Sequence, residues 1–214
     1  MDSQEMNLRR EIVEVCRKLQ EGGLIAASDG NVSCRTGSDC ILITPGGVSK
    51  GEIQAGEIAK TAMDGTLLEG PLAPSSEIRM HLLVYGMRPD VSAIVHAHPP
   101  IATAFTVAGF AFDSKILPEV WMMLGEVPLA PYATPATEEV PRSIEPYVAG
   151  SRAILLKRHG AVTFGRDLAR AWMCMDKLEH CAKTLLYASM LEGRKPGLAM
   201  SEEEIARLGA GLGL

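Results

Sequence analysis

Residues 91–100 read VSAIVHAHPP. A short apolar run that ends on two prolines reads as a strand rather than a helix. Residues two apart in a strand leave the same face, so the imidazoles of His96 and His98 project together. Pro99 and Pro100 cannot continue a ladder, which sets the pair at a sheet edge or end, where a site can open to solvent. Polar packing on an exposed sheet face would explain an isolated pair equally well.

Outward from this strand the chain alternates. Upstream, Ser75-Ser76-Glu77 follows Pro74 and opens a helix expected to reach about Tyr85, before Gly86 and Pro89. An acidic residue at that place is favoured by the helix dipole alone. Downstream come a short helix over IATAFTVAG, a strand around Val127 to Ala130, a helical stretch over 137–148, two strands in RAILLKRHGAVTFG, and a long helix from Leu168 to Glu192. In KRHGA, Gly160 would let the backbone bend and direct His159 at a neighbouring strand end. A histidine in a turn needs no such purpose.

Residues 5–21 place Met6, Ile12, Val13, Val15, Cys16 and Leu19 near helical spacing, and Gly22-Gly23 ends the run. Then follow NVSCR and CILITP, joined by a Thr-Gly-Ser-Asp turn, the glycine-rich TPGGVSKG, and IAKTAMDGTLLEG with its own Asp-Gly turn. Because several strands are joined by tight turns, an α/β fold with an antiparallel-rich sheet and helices on its faces fits better than a doubly wound parallel one. No repeat or linker interrupts the 214 residues, so a single domain over 1–214 is expected.

Charged residues make up 22% of the chain and the net charge is −5 with scattered basic residues, which disfavours nucleic acid or an anionic membrane and points to a small ligand. The opening MDSQEMNLRREIVEVCRKLQ lacks an apolar signal core, and no long uninterrupted apolar stretch follows, so a cytoplasmic protein is expected. Cys16, Cys34, Cys40, Cys174 and Cys181 lack paired CxxC spacing and read as reduced structural thiols. A Cys34–Cys40 bridge across the turn would be unusual in a reducing compartment.

Taken together, His96, His98, His159 and Glu77 form a borderline-soft ligand set that suits Zn²⁺, and less diagnostically Mn²⁺, Fe²⁺ or Co²⁺, with room for substrate in an open position. A second set is polar and uncharged: Gly30-Asn31, Gly46-Gly47 with Ser49, and Ser75-Ser76. Its backbone and hydroxyl donors can cradle a phosphate, although turn formation explains each glycine stretch separately.

The segments SDGNVS, LITPGGVSKG, PSSE, HAHP and KRHG, in that order, resemble the class II (zinc-dependent) aldolase family, L-fuculose-1-phosphate aldolase-like, of the aldolase–epimerase–adducin superfamily, from about residue 8 to 192. The resemblance implies zinc on Glu77, His96, His98 and His159, and phosphate binding by Gly30, Asn31, Gly47, Ser75 and Ser76, with Gly46 where a threonine often sits. It further implies a three-layer α/β/α sandwich with a mainly antiparallel central sheet, and a homotetramer with active sites between subunits. The implied reaction is reversible cleavage of a ketose 1-phosphate to dihydroxyacetone phosphate and a small aldehyde through a metal-stabilised enediolate, with Glu77 as general base.

Two tyrosines of the fuculose-phosphate enzymes are not matched. Met122 stands at the first position and the tail has no tyrosine, leaving Glu119, Tyr132 or an ordered water as proton donor. The apolar Trp121, Met122, Met123 and Leu124 fit either the core or an apolar aldehyde. The latter suggests fuculose-1-phosphate, 5-deoxyribulose-1-phosphate or 5-methylthioribulose-1-phosphate. Alternatives on the same fold are a sugar-phosphate 4-epimerase, a methylthioribulose-1-phosphate dehydratase and, without catalysis, an adducin-like interaction module.

Overall fold

The computed structural model describes residues 3–191 and 199–212. Helix α1 (Ser3–Glu21) buries Ile12, Val15, Cys16 and Leu19, and stops at Gly22-Gly23, where Gly23 takes a positive φ of 67°. Tight turns between β1 (Asn31–Arg35) and β2 (Cys40–Ile43) and between β3 (Ala59–Ala62) and β4 (Leu67–Glu69), with a longer connection over 44–58, fold these strands into an antiparallel meander.

Helix α2 (Ile78–Met87) leads into β5 (Ala93–Ala97), followed by α3 (Pro100–Ala108), α4 (Pro118–Leu124) and β6 (Leu129–Ala130). Helix α5 (Glu139–Val148), the hairpin β7 (Ala153–Leu156) and β8 (Gly160–Gly165), α6 (Leu168–Leu191) and α7 (Glu202–Leu212) complete the order. The expected end of α6 at Glu192 lies outside the described residues.

The eight strands form one open sheet in the order β4-β3-β2-β1-β5-β8-β7-β6. The expectation of a mainly antiparallel sheet is corrected to a mixed one, because β6 pairs parallel with β7. Between those two strands the chain crosses through α5, and a crossover returns a strand in the same direction, whereas the short turns elsewhere reverse it.

Alternate strand positions feed two apolar clusters. Leu42, Val95 and Leu155 pack with residues of α1, α3, α4 and α6, while Ile41, Ile43, Ile94, Ile154 and Val162 pack with residues of α2 and α5. Two helices were not anticipated. In α4, Pro118 starts the helix and Gly125, at φ 65°, ends it; α7 lies in the weakly patterned tail. All five cysteines are free thiols. Among the described residues no helix is long and apolar enough to cross a membrane.

The central strands β1, β5 and β8 hold the polar residues. His96 of β5 faces Asn31 across one ladder and Val162 across the other. The end of β5 and the start of β8 therefore meet at one end of the sheet.

Candidate metal centre

Three local devices bring the histidines together. His96 lies within β5, fully buried, and its Nδ1 is 2.9 Å from the Ala161 carbonyl oxygen. Donation there places a proton on Nδ1 and makes Nε2 the nitrogen that faces Glu77 and that a metal would take. His98 follows directly, tied by its backbone N–H to the Leu24 carbonyl, with its Nδ1 3.3 Å from an Asp29 carboxylate oxygen. His159 sits in the β7–β8 turn beside Arg158, which holds a positive φ of 58° and donates its N–H to Thr106 Oγ1 at 3.0 Å.

Gly160 is required for a reason other than backbone bending. A Cβ there would lie 2.3 Å from the Ala97 carbonyl oxygen and 2.7 Å from the His98 ring. Its missing side chain lets the start of β8 close on the end of β5, which sets His159 against His98. The three rings form a near-equilateral triangle, with centroids 4.8, 5.0 and 5.1 Å apart and edge-on orientations.

Glu77 completes the group. It occupies the residue before α2 but makes no side-chain cap hydrogen bond. Its carboxylate turns inward instead, with Oε2 3.1 Å from His96 Nε2 and 2.9 Å from the Asn31 amide nitrogen, and Oε1 3.3 Å from His159 Nε2. The dipole explanation therefore does not account for where this side chain points.

The electrostatics agree with a site for a cation. Burial opposes the charge of Glu77, but His96 beside it, His159 and the Asn31 hydrogen bond outweigh that effect and hold the carboxyl well below the usual range. Burial, then His96, push His159 down to about 4, and the same two effects lower His98. Burial works against the charge of His96, but Glu77 beside it outweighs that and pushes its pKa up, so a metal must displace a proton from this ring to bind.

Two further observations fit a metal. Glu77 Oε1 is buried without a hydrogen-bond partner. His98 Nε2 and His96 Nε2 stand 3.2 Å apart, a separation that one proton or one metal ion can bridge. His96, His98 and His159 each offer a ligand atom, all within 4.8 Å of one another.

The residues expected to hold phosphate are only partly brought together. The bridge between Pro45 and Pro74 lays Gly46-Gly47 beside Ser75-Ser76, and a Cβ on Gly46 would stand 3.9 Å from the Ser76 backbone nitrogen. Gly46, Gly47 and Ser76 are exposed there, and Ser75 is buried with its Oγ accepting from the Glu77 N–H at 3.3 Å. Gly30 instead packs inward at φ 72°, where a Cβ would meet the His96 carbonyl oxygen at 2.8 Å. The Asn31 side chain is buried and engaged at both ends, giving its N–H to Glu77 and lying 2.5 Å by its oxygen from His81 Nε2.

Sequence reading passed over His81, Ser33 and Tyr85. His81 Nδ1 is 2.7 Å from Ser33 Oγ, which is 2.8 Å from the Tyr85 hydroxyl, and all three residues are buried. The signal was available in the spacing. Glu77, His81 and Tyr85 recur every four residues along a helix, and Asn31 and Ser33 every two along a strand.

The description Class II Aldolase and Adducin N-terminal domain matches residues 10–186. The chain belongs to this family. Within the family it is 31% identical to a 3-oxo-tetronate 4-phosphate decarboxylase of Escherichia coli K12, over 95% of this chain and 96% of that protein. It is 32% identical to an L-fuculose phosphate aldolase of Methanococcus maripaludis, over 81% of this chain and 93% of that one. YgbL of Escherichia coli superposes with a TM-score of 0.88 at 31% identity, covering 96% of this chain and 99% of YgbL. An L-fuculose 1-phosphate aldolase superposes at 0.84 with 28% identity, covering 100% of this chain and 98% of that one. The class II aldolase fold is thus shown, and with it an enzyme of this superfamily carrying a three-histidine cluster able to bind a metal.

Proposed function

We propose that this chain is a zinc-dependent carbon–carbon lyase whose substrates share a dihydroxyacetone phosphate unit. One observation carries the reading: His98 Nε2 lies 3.2 Å from His96 Nε2, and the Glu77 carboxylate reaches His96 Nε2 with one oxygen at 3.1 Å and His159 Nε2 with the other at 3.3 Å. Ligand atoms of the three histidines lie within 4.8 Å of one another, a cluster that one zinc ion with bonds of about 2.0–2.1 Å would draw together. Mn²⁺, Fe²⁺ and Co²⁺ accept the same donors less selectively.

When bound, the metal supplies positive charge for the oxygen anion that develops beside the broken bond. The residues do the rest. Glu77, ionised at neutral pH, removes a hydroxymethyl proton from dihydroxyacetone phosphate in the condensation direction; in the cleavage direction it takes up a proton from water and delivers it to the carbon that has lost its partner. The Gly46-Gly47 and Ser75-Ser76 segments present backbone and hydroxyl donors for the phosphate, with Gly30 and Asn31 shaping the floor beside Glu77.

In the aldolase reading, the C3–C4 bond of a ketose 1-phosphate breaks, the C4 hydroxyl gives its proton to Glu119, Tyr132 or an ordered water, and an aldehyde leaves. Fuculose-1-phosphate, 5-deoxyribulose-1-phosphate and 5-methylthioribulose-1-phosphate are the candidate substrates. A second reading is favoured by Met122, partly exposed on α4, which has no proton to exchange with a hydroxyl. A 3-oxo-tetronate 4-phosphate loses carbon dioxide from its C1–C2 bond and needs no hydroxyl deprotonated. Both reactions leave the same dihydroxyacetone phosphate enediolate, so the Glu77 chemistry is common to them.

We extend the reading to a cytoplasmic homotetramer with a single domain per chain and sites between subunits. Val107 and Phe110, at 50% and 53% exposure beside the histidine end of the sheet, support a subunit contact. Sedimentation of the purified protein reads this directly.

The deciding experiment incubates zinc-loaded protein with dihydroxyacetone phosphate in deuterated water, then adds an aldehyde panel, and separately offers 3-oxo-tetronate 4-phosphate. Deuterium exchange at the hydroxymethyl carbon is expected in every case. A ketose phosphate product identifies the aldolase, carbon dioxide the decarboxylase. No exchange would overturn the proposal and favour the epimerase or dehydratase chemistry of the same fold.

A further inference from the structure

Glu77, His81 and Tyr85 follow one another at four-residue spacing from the start of α2, and they face Asn31 and Ser33, two residues apart on β1. All but Glu77 are buried: Asn31 is 3% exposed, Ser33 and His81 0%, and Tyr85 1%. The surroundings are the apolar cluster of Met80, Val84, Ile43 and Ile94. Five polar side chains in such a place are costly unless every donor meets an acceptor.

The hydrogen-bond directions are forced, starting from the charge. Ionised Glu77 only accepts, so the Asn31 side chain must present its amide nitrogen to it, at 2.9 Å. The Asn31 oxygen then faces His81 Nε2 at 2.5 Å, and that nitrogen must carry the ring proton. Nδ1 is left bare and accepts from the Ser33 hydroxyl at 2.7 Å. Having spent its proton, Ser33 Oγ accepts from the Tyr85 hydroxyl at 2.8 Å. The opposite tautomer of His81 would leave its Nε2 bare against the Asn31 oxygen, acceptor against acceptor, and would reverse the hydroxyls of Ser33 and Tyr85.

We infer that His81 is a positioning residue: it fixes the Asn31 side chain and, through it, the direction in which the Glu77 carboxylate points. Without the Nε2 proton, the Asn31 amide is free to turn its oxygen toward the carboxylate and repel it. Ser33 and Tyr85 hold the tautomer rather than touching the reacting atoms. The chain runs one way, from phenol to carboxylate, so damage anywhere along it is felt at Glu77 and weakens with distance.

The inference rests on the proposed proton role of Glu77, and the tests separate the two. In uniformly ¹⁵N-histidine-labelled full chain, His81 is expected to show a protonated Nε2 and a bare Nδ1; the reverse assignment overturns the inference. In the zinc-loaded enzyme, His81→Leu is expected to lower deuterium exchange about 10- to 100-fold while the Kd for dihydroxyacetone phosphate stays within about 3-fold. His81→Gln, which can still donate to Asn31, should restore most of the loss. Native exchange in a folded His81→Leu, or equal damage from Leu and Gln, overturns the inference.

Should His81→Leu fail to fold, Tyr85→Phe removes only the outermost proton donor, and a loss of about 3-fold is expected; an unchanged rate overturns the inference. Should the wild-type protein show no exchange, the proposed function fails alone. The absorption spectrum of the Co²⁺-loaded protein then reads the placement of Glu77. It should change in His81→Leu and remain native in His81→Gln, and an unchanged spectrum in both overturns the inference.

Discussion

Two buried polar clusters lie within this fold, and they differ in whether their charges are answered. Where α1 meets β3, the Glu5 carboxylate is held by Arg9 at 2.7 Å and by Lys60 at 2.7 Å, with Glu69 3.7 Å from each cation. Two carboxylates meet two cations, and the remaining guanidinium N–H groups include one bonded to the Ile58 carbonyl. Where α2 meets β1 and β5, Glu77 faces three histidines and the Asn31 amide, and its Oε1 has no hydrogen-bond partner. The first cluster is closed and serves the fold. The second is open: a carboxylate oxygen is left without a donor, which costs stability and suits the group to a cation.

The largest expected effect falls on the open cluster. Glu77→Gln keeps the shape and removes the charge, and deuterium exchange into dihydroxyacetone phosphate should fall about 10²- to 10⁴-fold, with little change in the binding of that ligand. An exchange rate equal to that of the parent would erase the distinction between the clusters.

Breaking the closed cluster should act on stability instead. Arg9→Met leaves Glu5 with one of its two cations, and denaturant unfolding should report a loss of about 3–5 kcal/mol. Metal content and the exchange rate of the folded protein should stay at parental values. A change in the metal content of folded protein would mean that the two clusters are coupled.

Acid separates them more gently. Burial, then the charge of His96, push the His81 pKa down from 6.5 to about 3, so between those values the unfolded chain binds the proton and the folded chain does not. Stability is therefore lost as pH falls, by about 2 kcal/mol between pH 6.5 and pH 5. Glu5 enters lower. Burial works against its charge, but Lys60 and Arg9 outweigh that and hold its pKa below 4.5, so its contribution is present above that value and lost as pH falls further. Unfolding of the metal-free protein at a series of pH values should show the first loss reduced in His81→Gln, with the remainder carried by His159 and His98, and the second loss unchanged in both.

Much of the open cluster was legible in the chain. The HAH pair within an apolar run, the histidine–glycine turn and the Ser-Ser-Glu start are local patterns, each open to a structural explanation singly, whose residue types taken together allow metal ligation and proton transfer. Asn31 was legible as a site residue, but not the role of its side chain, because its two partners come from α2 rather than from neighbouring strand residues. His81 went unread because a lone histidine on an apolar helix looks like core until its strand partner is known. The parallel pairing of β6 escaped for a similar reason: two residues of strand carry no directional signal, and the crossover through α5 sets it.

By itself the sequence determined most of the elements, α4 and α7 excepted, and which side chains carry charge, protons and ligand atoms, since periodicity, turn residues and residue chemistry act over a few positions. Only the tertiary structure decided that a carboxylate at 77 and imidazoles at 96, 98 and 159 share one volume, and that a neutral histidine at 81 governs the first of them. Convergence depends on register, on the bare Cα of Gly160 and on long-range packing. Those are properties of the folded chain as a whole, and no local stretch encodes them.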